Sequence, residues 1–78
     1  MERKIKLIWD FRGSNTLQMA THYNKHTKEF FELKNIDLID SGHEMINDSH
    51  HISFAIIKKE DVNLVKQVLK PQRAFLLK

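Results

Sequence analysis

The chain lacks cysteine altogether, and its 78 residues include one proline, two glycines, one tryptophan and one tyrosine. Without cysteine there can be no disulfide framework, no thiolate zinc site and no thiol nucleophile. Gly13 and Gly42 are the only glycines, so neither a P-loop nor a dinucleotide fingerprint can be written, and no cofactor is expected. No string around a serine resembles a strained nucleophile turn. Runs of about 18 apolar residues are missing, and the start Met1-Glu2-Arg3-Lys4 has no apolar core of secretory type. No membrane association is therefore expected, and a cytoplasmic location follows by default. A strong charge of one sign is lacking too. Thirteen basic residues face ten acidic ones, a net charge of +3, and the basic residues are scattered along the chain. A nucleic-acid binder gathers them into a stripe, so nucleic acid is not an expected partner.

What is present suits one small globular domain over residues 1–78. Hydrophobic residues make up 41% and charged residues 29%, too much apolar surface for wholesale disorder. A chain this short buries only about 60% of the surface its unfolded form exposes, so its core is thin.

The periodicity changes along the chain. From Lys4 to Phe11 it is two, with Ile5, Leu7, Trp9 and Phe11 on one face, which predicts a half-buried strand. Gly13 supplies a turn, and Asn15 with Gln18 stands at capping-box spacing. From Thr16 to Lys34 the period is 3.6. Met19, Ala20, Tyr23, Thr27, Phe30 and Phe31 share one arc, with Leu17 and Leu33 at its edges, predicting an amphipathic helix about 28 Å long. Asn35 suits a left-handed helix end. Ile36 to Ile46 reads as a strand in which Gly42 suggests a bulge or a close approach. Asn47-Asp48-Ser49 is a turn, and His50 to Lys58 a further strand. Glu60 and Asp61 open a short second helix that Pro71 closes, and Arg73 to Leu77 is a last strand.

The order β-α-β-β-α-β, with right-handed crossovers, predicts an α+β ferredoxin-like sandwich: a four-stranded antiparallel sheet with both helices on one face. The more apolar sets, Ile5, Leu7, Trp9 and Phe11 with Ile52, Phe54 and Ile56, are expected under the helices. The open face would then carry Lys6, Ile8, Asp10, His51, Ser53, Ala55 and Ile57. That face is semi-apolar, which predicts a homodimer through it, with room for a small-molecule ligand between the sheets. Pairing through sheet edges is the competing geometry. An RNA-recognition module shares this order but shows stacking aromatics on the open face; Trp9 and Phe11 could serve only if the faces were inverted.

The layout, the long first helix after a strand-terminal loop, and the stretch Leu38-Ile39-Asp40-Ser41-Gly42 leading into strand 2 resemble small proteins of the dimeric α+β barrel superfamily. The resemblance implies homodimers built by stacking sheets, and members that include small monooxygenases and isomerases. No catalytic motif of that group can be carried over residue by residue.

Five histidines are the unusual inventory. His22 and His26 stand four apart on the first helix and could share a metal ion, since imidazoles at that spacing project along one stripe. A zinc-protease helix has Glu directly after its first His, where Tyr23 stands here. Two half-exposed histidines at the edge of a helix are the plainer reading. His43, His50 and His51 gather near the strand 2–3 hairpin. If the loop there has three residues, His43 lies beside Ser53, and His43, His51 and Asp10 could form an acid–base pocket of catalytic type. A two-residue loop or a bulge at Gly42 would send His43 to the helix side, because a one-residue slip inverts every side chain. Arg12, at the loop after strand 1, is the one basic residue that suits an anionic ligand, a solvated loop arginine being the plainer reading, and Ser53 is a further ligand-binding candidate.

Overall fold

A computed structural model describes residues 3–77. The strands are β1 (Lys4–Arg12), β2 (Asp40–Asn47), β3 (His50–Lys58) and β4 (Arg73–Leu77); the helices are α1 (Thr16–Lys34) and α2 (Val62–Leu69). The sheet order is β2-β3-β1-β4 and every neighbouring pair is antiparallel. Each crossover spans one intervening strand, so α1 lies along β3 and α2 along β1. This is the ferredoxin-like sandwich the periodicities predict.

Local chemistry sets the boundaries. β1 ends at Gly13, whose φ of 113° belongs to glycine. Asn15 takes the left-handed conformation at φ 62° and its side chain caps nothing, so the expected capping box with Gln18 does not form. Instead the Met19 amide donates to the Asn15 carbonyl. The other end of α1 follows its prediction. Asn35 is left-handed at φ 56°, its N–H donates to the Glu32 carbonyl, and the Ile36 N–H donates to the Phe31 carbonyl. This is a Schellman ending, and it turns Ile36 and Leu38 back onto the core. Ile36 to Ile39 therefore form an irregular tether, and β2 starts only at Asp40, later than the apolar run suggests.

The core joins Leu7 and Trp9 of β1, Ala55 and Ile57 of β3, Phe31 of α1 and Val65 of α2, with Ile5, Phe11, Tyr23, Phe30 and Leu69 around them. The β1 face is as expected; the β3 face is the reverse. Residues opposite one another in an antiparallel pair share a face. Leu7 stands opposite Ala55, Trp9 opposite Ser53 and Phe11 opposite His51, so His51, Ser53, Ala55 and Ile57 lie under the helices. Ile52, Phe54 and Ile56 lie on the open face with Lys6, Ile8 and Asp10. The larger set is outside because the small side chains of Ser53 and Ala55, both 0% exposed, let α1 sit close to the sheet.

Gly42 has its close approach and no bulge. It stands opposite Phe54, and a β-carbon there would meet the phenyl ring at 3.1 Å. The aromatic ring covers the glycine across the strands. The bulge falls instead at Ile46, between Met45 and Asn47. A two-residue turn, Asp48-Ser49, closes the hairpin, and the extra residue at Ile46 restores the register that places His43 opposite Ser53.

Candidate functional site on the open sheet face

Three consecutive neighbours in the sheet each contribute one polar side chain to the open face: Asp10 from β1, His50 from the start of β3 and Arg73 from the start of β4. The register makes this meeting unavoidable, since Asp10 is opposite Ile52, one pleat from His50, and Arg73 is opposite Ile8. Arg73 grips the carboxylate with two donors, Nη2 to Oδ1 at 2.8 Å and Nε to Oδ2 at 3.1 Å. His50 Nε2 meets Oδ1 at 2.7 Å. The Asp10 backbone N–H donates to the side-chain carbonyl of Gln72. The Asp10 side chain is 13% exposed and that of His50 10%, while Arg73 reaches out to 45%.

Burial by itself would raise the Asp10 pKa. The hydrogen bonds from His50 and Arg73, with the guanidinium charge, outweigh it and hold the carboxyl below its ordinary value. The carboxylate is thus ionised, with three hydrogen bonds shared over its two oxygens. Charge-assisted bonds of this kind are the strong ones, and the group acts as a clamp across three strands, with both carboxylate oxygens engaged by cationic or ring N–H partners. Beside it, Lys6 Nζ stands 4.5 Å above the Phe54 ring and 3.8 Å from Glu44. Ile8 and Ile52, at the centre of this face, are only 5% and 4% exposed although no helix covers them.

The residues expected to form an acid–base pocket are separated. Asp10 is on the open face, whereas His43 and His51 are on the helix side. His43 is exposed along the β2 edge. His51 is 6% exposed and its Nδ1 is 2.7 Å from the Thr16 hydroxyl, which ties the first turn of α1 to β3. The partner that Asp10 does find is His50, one position away. The signal was available in the pairing parity of β1 and β3, but both faces of β3 are apolar, so composition cannot fix that parity. Trp9 and Phe11 are on the helix side and offer no stacking platform on the open face.

Ser53 and Arg12, the two ligand-binding candidates, are also apart. Arg12 is exposed at the end of β1. Ser53 is 0% exposed on the helix side, and its Oγ has no hydrogen-bond partner. An unpaired buried hydroxyl costs about 1–3 kcal/mol. Ser53→Ala is therefore expected to raise stability by about 1 kcal/mol, read as a higher urea midpoint; a loss of stability would show that the hydroxyl is satisfied in solution.

His22 and His26 do meet, as the helical spacing predicts. Their Nε2 atoms are 2.9 Å apart, and His26 Nδ1 is 3.7 Å from Glu29 Oε1. Among the described residues no group of three or more His, Asp or Glu side chains is placed to hold a metal ion, and no helix is long and apolar enough to cross a membrane. Compared with protein families, with curated proteins and with solved structures, the chain matches none.

Proposed function

We propose that the protein is a homodimerising interaction module in which two copies pair antiparallel along their β4 edges, joining two four-stranded sheets into one. The observation that supports this reading is the state of β4. It is an edge strand, Arg-Ala-Phe-Leu-Leu, in which the first four residues are exposed, with Phe75 at 49% and Leu76 at 48%. Soluble proteins blunt such edges with charges, prolines or bulges. The other edge follows that rule: β2 carries Asp40 and Glu44 and is kinked at Ile46. β4 has no proline, no bulge and no charge besides Arg73, whose guanidinium is committed to Asp10.

A register centred on Phe75 pairs all five residues with themselves, as a two-fold contact requires. Phe75 then faces its own copy on the open side, and Leu76 lies opposite Ala74 on the helix side. Arg73 lies opposite Leu77, so no like charges meet. Stacking of open faces, the arrangement implied by the dimeric α+β barrel resemblance, is less favoured. Its central residues Ile8 and Ile52 are already withdrawn from water within one chain and would gain little on association.

Because the chain has no cysteine, single engineered cysteines read the register directly. Phe75→Cys is expected to form an intermolecular disulfide under mild oxidation, since facing residues in an antiparallel pair lie within disulfide reach. Ile8→Cys on the open face should stay monomeric on denaturing gels. Efficient crosslinking at Ile8 and none at Phe75 would replace edge pairing with face stacking.

A further inference from the structure

The structure assigns a metal site to His22 and His26: we propose that the two Nε2 atoms chelate one divalent transition-metal ion that prefers right-angled coordination, of the nickel or copper type. Both rings are on the solvent side of α1, one turn apart, with centroids 4.4 Å apart and planes at 72°. Their Nε2 atoms converge to 2.9 Å. Two imidazole nitrogens bound at about 2.05 Å to one ion stand about 2.9 Å apart if the angle at the metal is a right angle, and about 3.4 Å if it is tetrahedral. The 2.9 Å separation is that of an ordinary hydrogen bond, from which the right-angled arrangement needs the smaller side-chain movement. Square-planar and octahedral sites with nitrogen and oxygen ligands are those that nickel(II) and copper(II) occupy.

With no metal, the Nε2 pair is satisfied when one ring donates its Nε2–H to the lone pair of the other. When both lone pairs go to a metal, that proton must sit on Nδ1 instead. On His26, Nδ1 is 3.7 Å from Glu29 Oε1, longer than a hydrogen bond, and a small rotation of the exposed carboxylate brings it to the outer position where it steadies a ligating histidine. Glu29 is thus a positioning residue on the far side of the ring and no ligand. The chain supplies two ligands, and water completes the shell, so the site is an open chelate that exchanges its metal readily. Its occupancy ties residues 22 and 26 together and stiffens the middle of α1.

The test is titration of the full chain with nickel(II) by calorimetry, and with cobalt(II) by visible absorption. Binding at micromolar metal with one ion per chain is expected, with the weak visible bands of octahedral cobalt. His22→Gln and His26→Gln should each weaken binding at least tenfold without changing the fold, because both side chains are exposed; His43→Gln should leave it unchanged. Glu29→Gln should weaken it by a smaller factor. Equal binding by the wild type and His26→Gln, or binding lost only with His43→Gln, would overturn the site. Intense tetrahedral cobalt bands would overturn the right-angle assignment.

Discussion

Trp9→Ala is expected to lower stability by about 3–5 kcal/mol, the cost of truncating a large aromatic in a packed core. In a domain this small, where total stability is about 5–15 kcal/mol, that removes much of the margin. The reason is that Trp9 serves three elements at once. Its ring is 4% exposed between Leu7, Phe31 and Val65, it packs on Tyr23 at 5.3 Å between centroids, and its Nε1–H donates to the Leu69 carbonyl at 2.8 Å. Leu69 is the last residue of α2, where helical carbonyls have no partner of their own. The Tyr23 hydroxyl donates to the same oxygen at 3.1 Å, so β1 and α1 together close the end of α2. Burial also pushes the Tyr23 phenol up from its ordinary pKa, which keeps it a donor.

The shared acceptor gives a sharper expectation than the single truncation. Trp9→Phe and Tyr23→Phe each leave one donor on Leu69, and each should cost about 1 kcal/mol for its hydrogen bond, with a further loss of packing for the smaller ring at position 9. The double variant leaves the carbonyl unpaired in a part-buried position and should cost more than the sum. Unfolding in urea followed by circular dichroism measures all three. Strict additivity would mean that the two donors act independently.

Asp10→Asn carries the second large effect. The substitution keeps the shape and removes the charge that holds Arg73 and His50. A hydrogen bond to a charged group contributes about 1.5–3 kcal/mol, and the exposure of Arg73 to solvent discounts its share, so a loss of about 2 kcal/mol is expected at neutral pH. The pH dependence has a definite sign. The folded-state pKa of Asp10 is lowered relative to the unfolded chain, so the stabilisation is complete above the unfolded value of about 3.9 and disappears as pH falls through the lower, folded value. The wild type and Asp10→Asn should therefore differ most at neutral pH and converge in acid. A constant difference across that range would show that the carboxylate charge contributes nothing.

The fold was legible because each segment carries a one-dimensional signal. Alternation marks β1, a 3.6 period marks α1, and Asn35 and Pro71 mark helix ends, so the element order follows from local chemistry alone. Which face of β3 meets the helices was not legible. His51, Ile52, Ser53 and Ala55 are all buried, and Phe54 and Ile56 partly so; a strand that is apolar on both sides has no parity to read. The choice is made by α1, which approaches closely where Ser53 and Ala55 leave space. The same ambiguity moved the polar cluster by one residue, from His51 to His50. The meeting of His22 and His26 is legible because it depends only on helical spacing. The bulge at Ile46 had no signal in composition, and it is the bulge that sets the position of His43.

Sedimentation equilibrium of the wild-type chain at tens of micromolar reads the association itself. Edge pairing through β4 predicts a species of twice the 9.3 kDa chain mass, shifting to 9.3 kDa when Leu76→Lys places a charge beside the seam; a wild-type chain that sediments as a monomer throughout that range would contradict it.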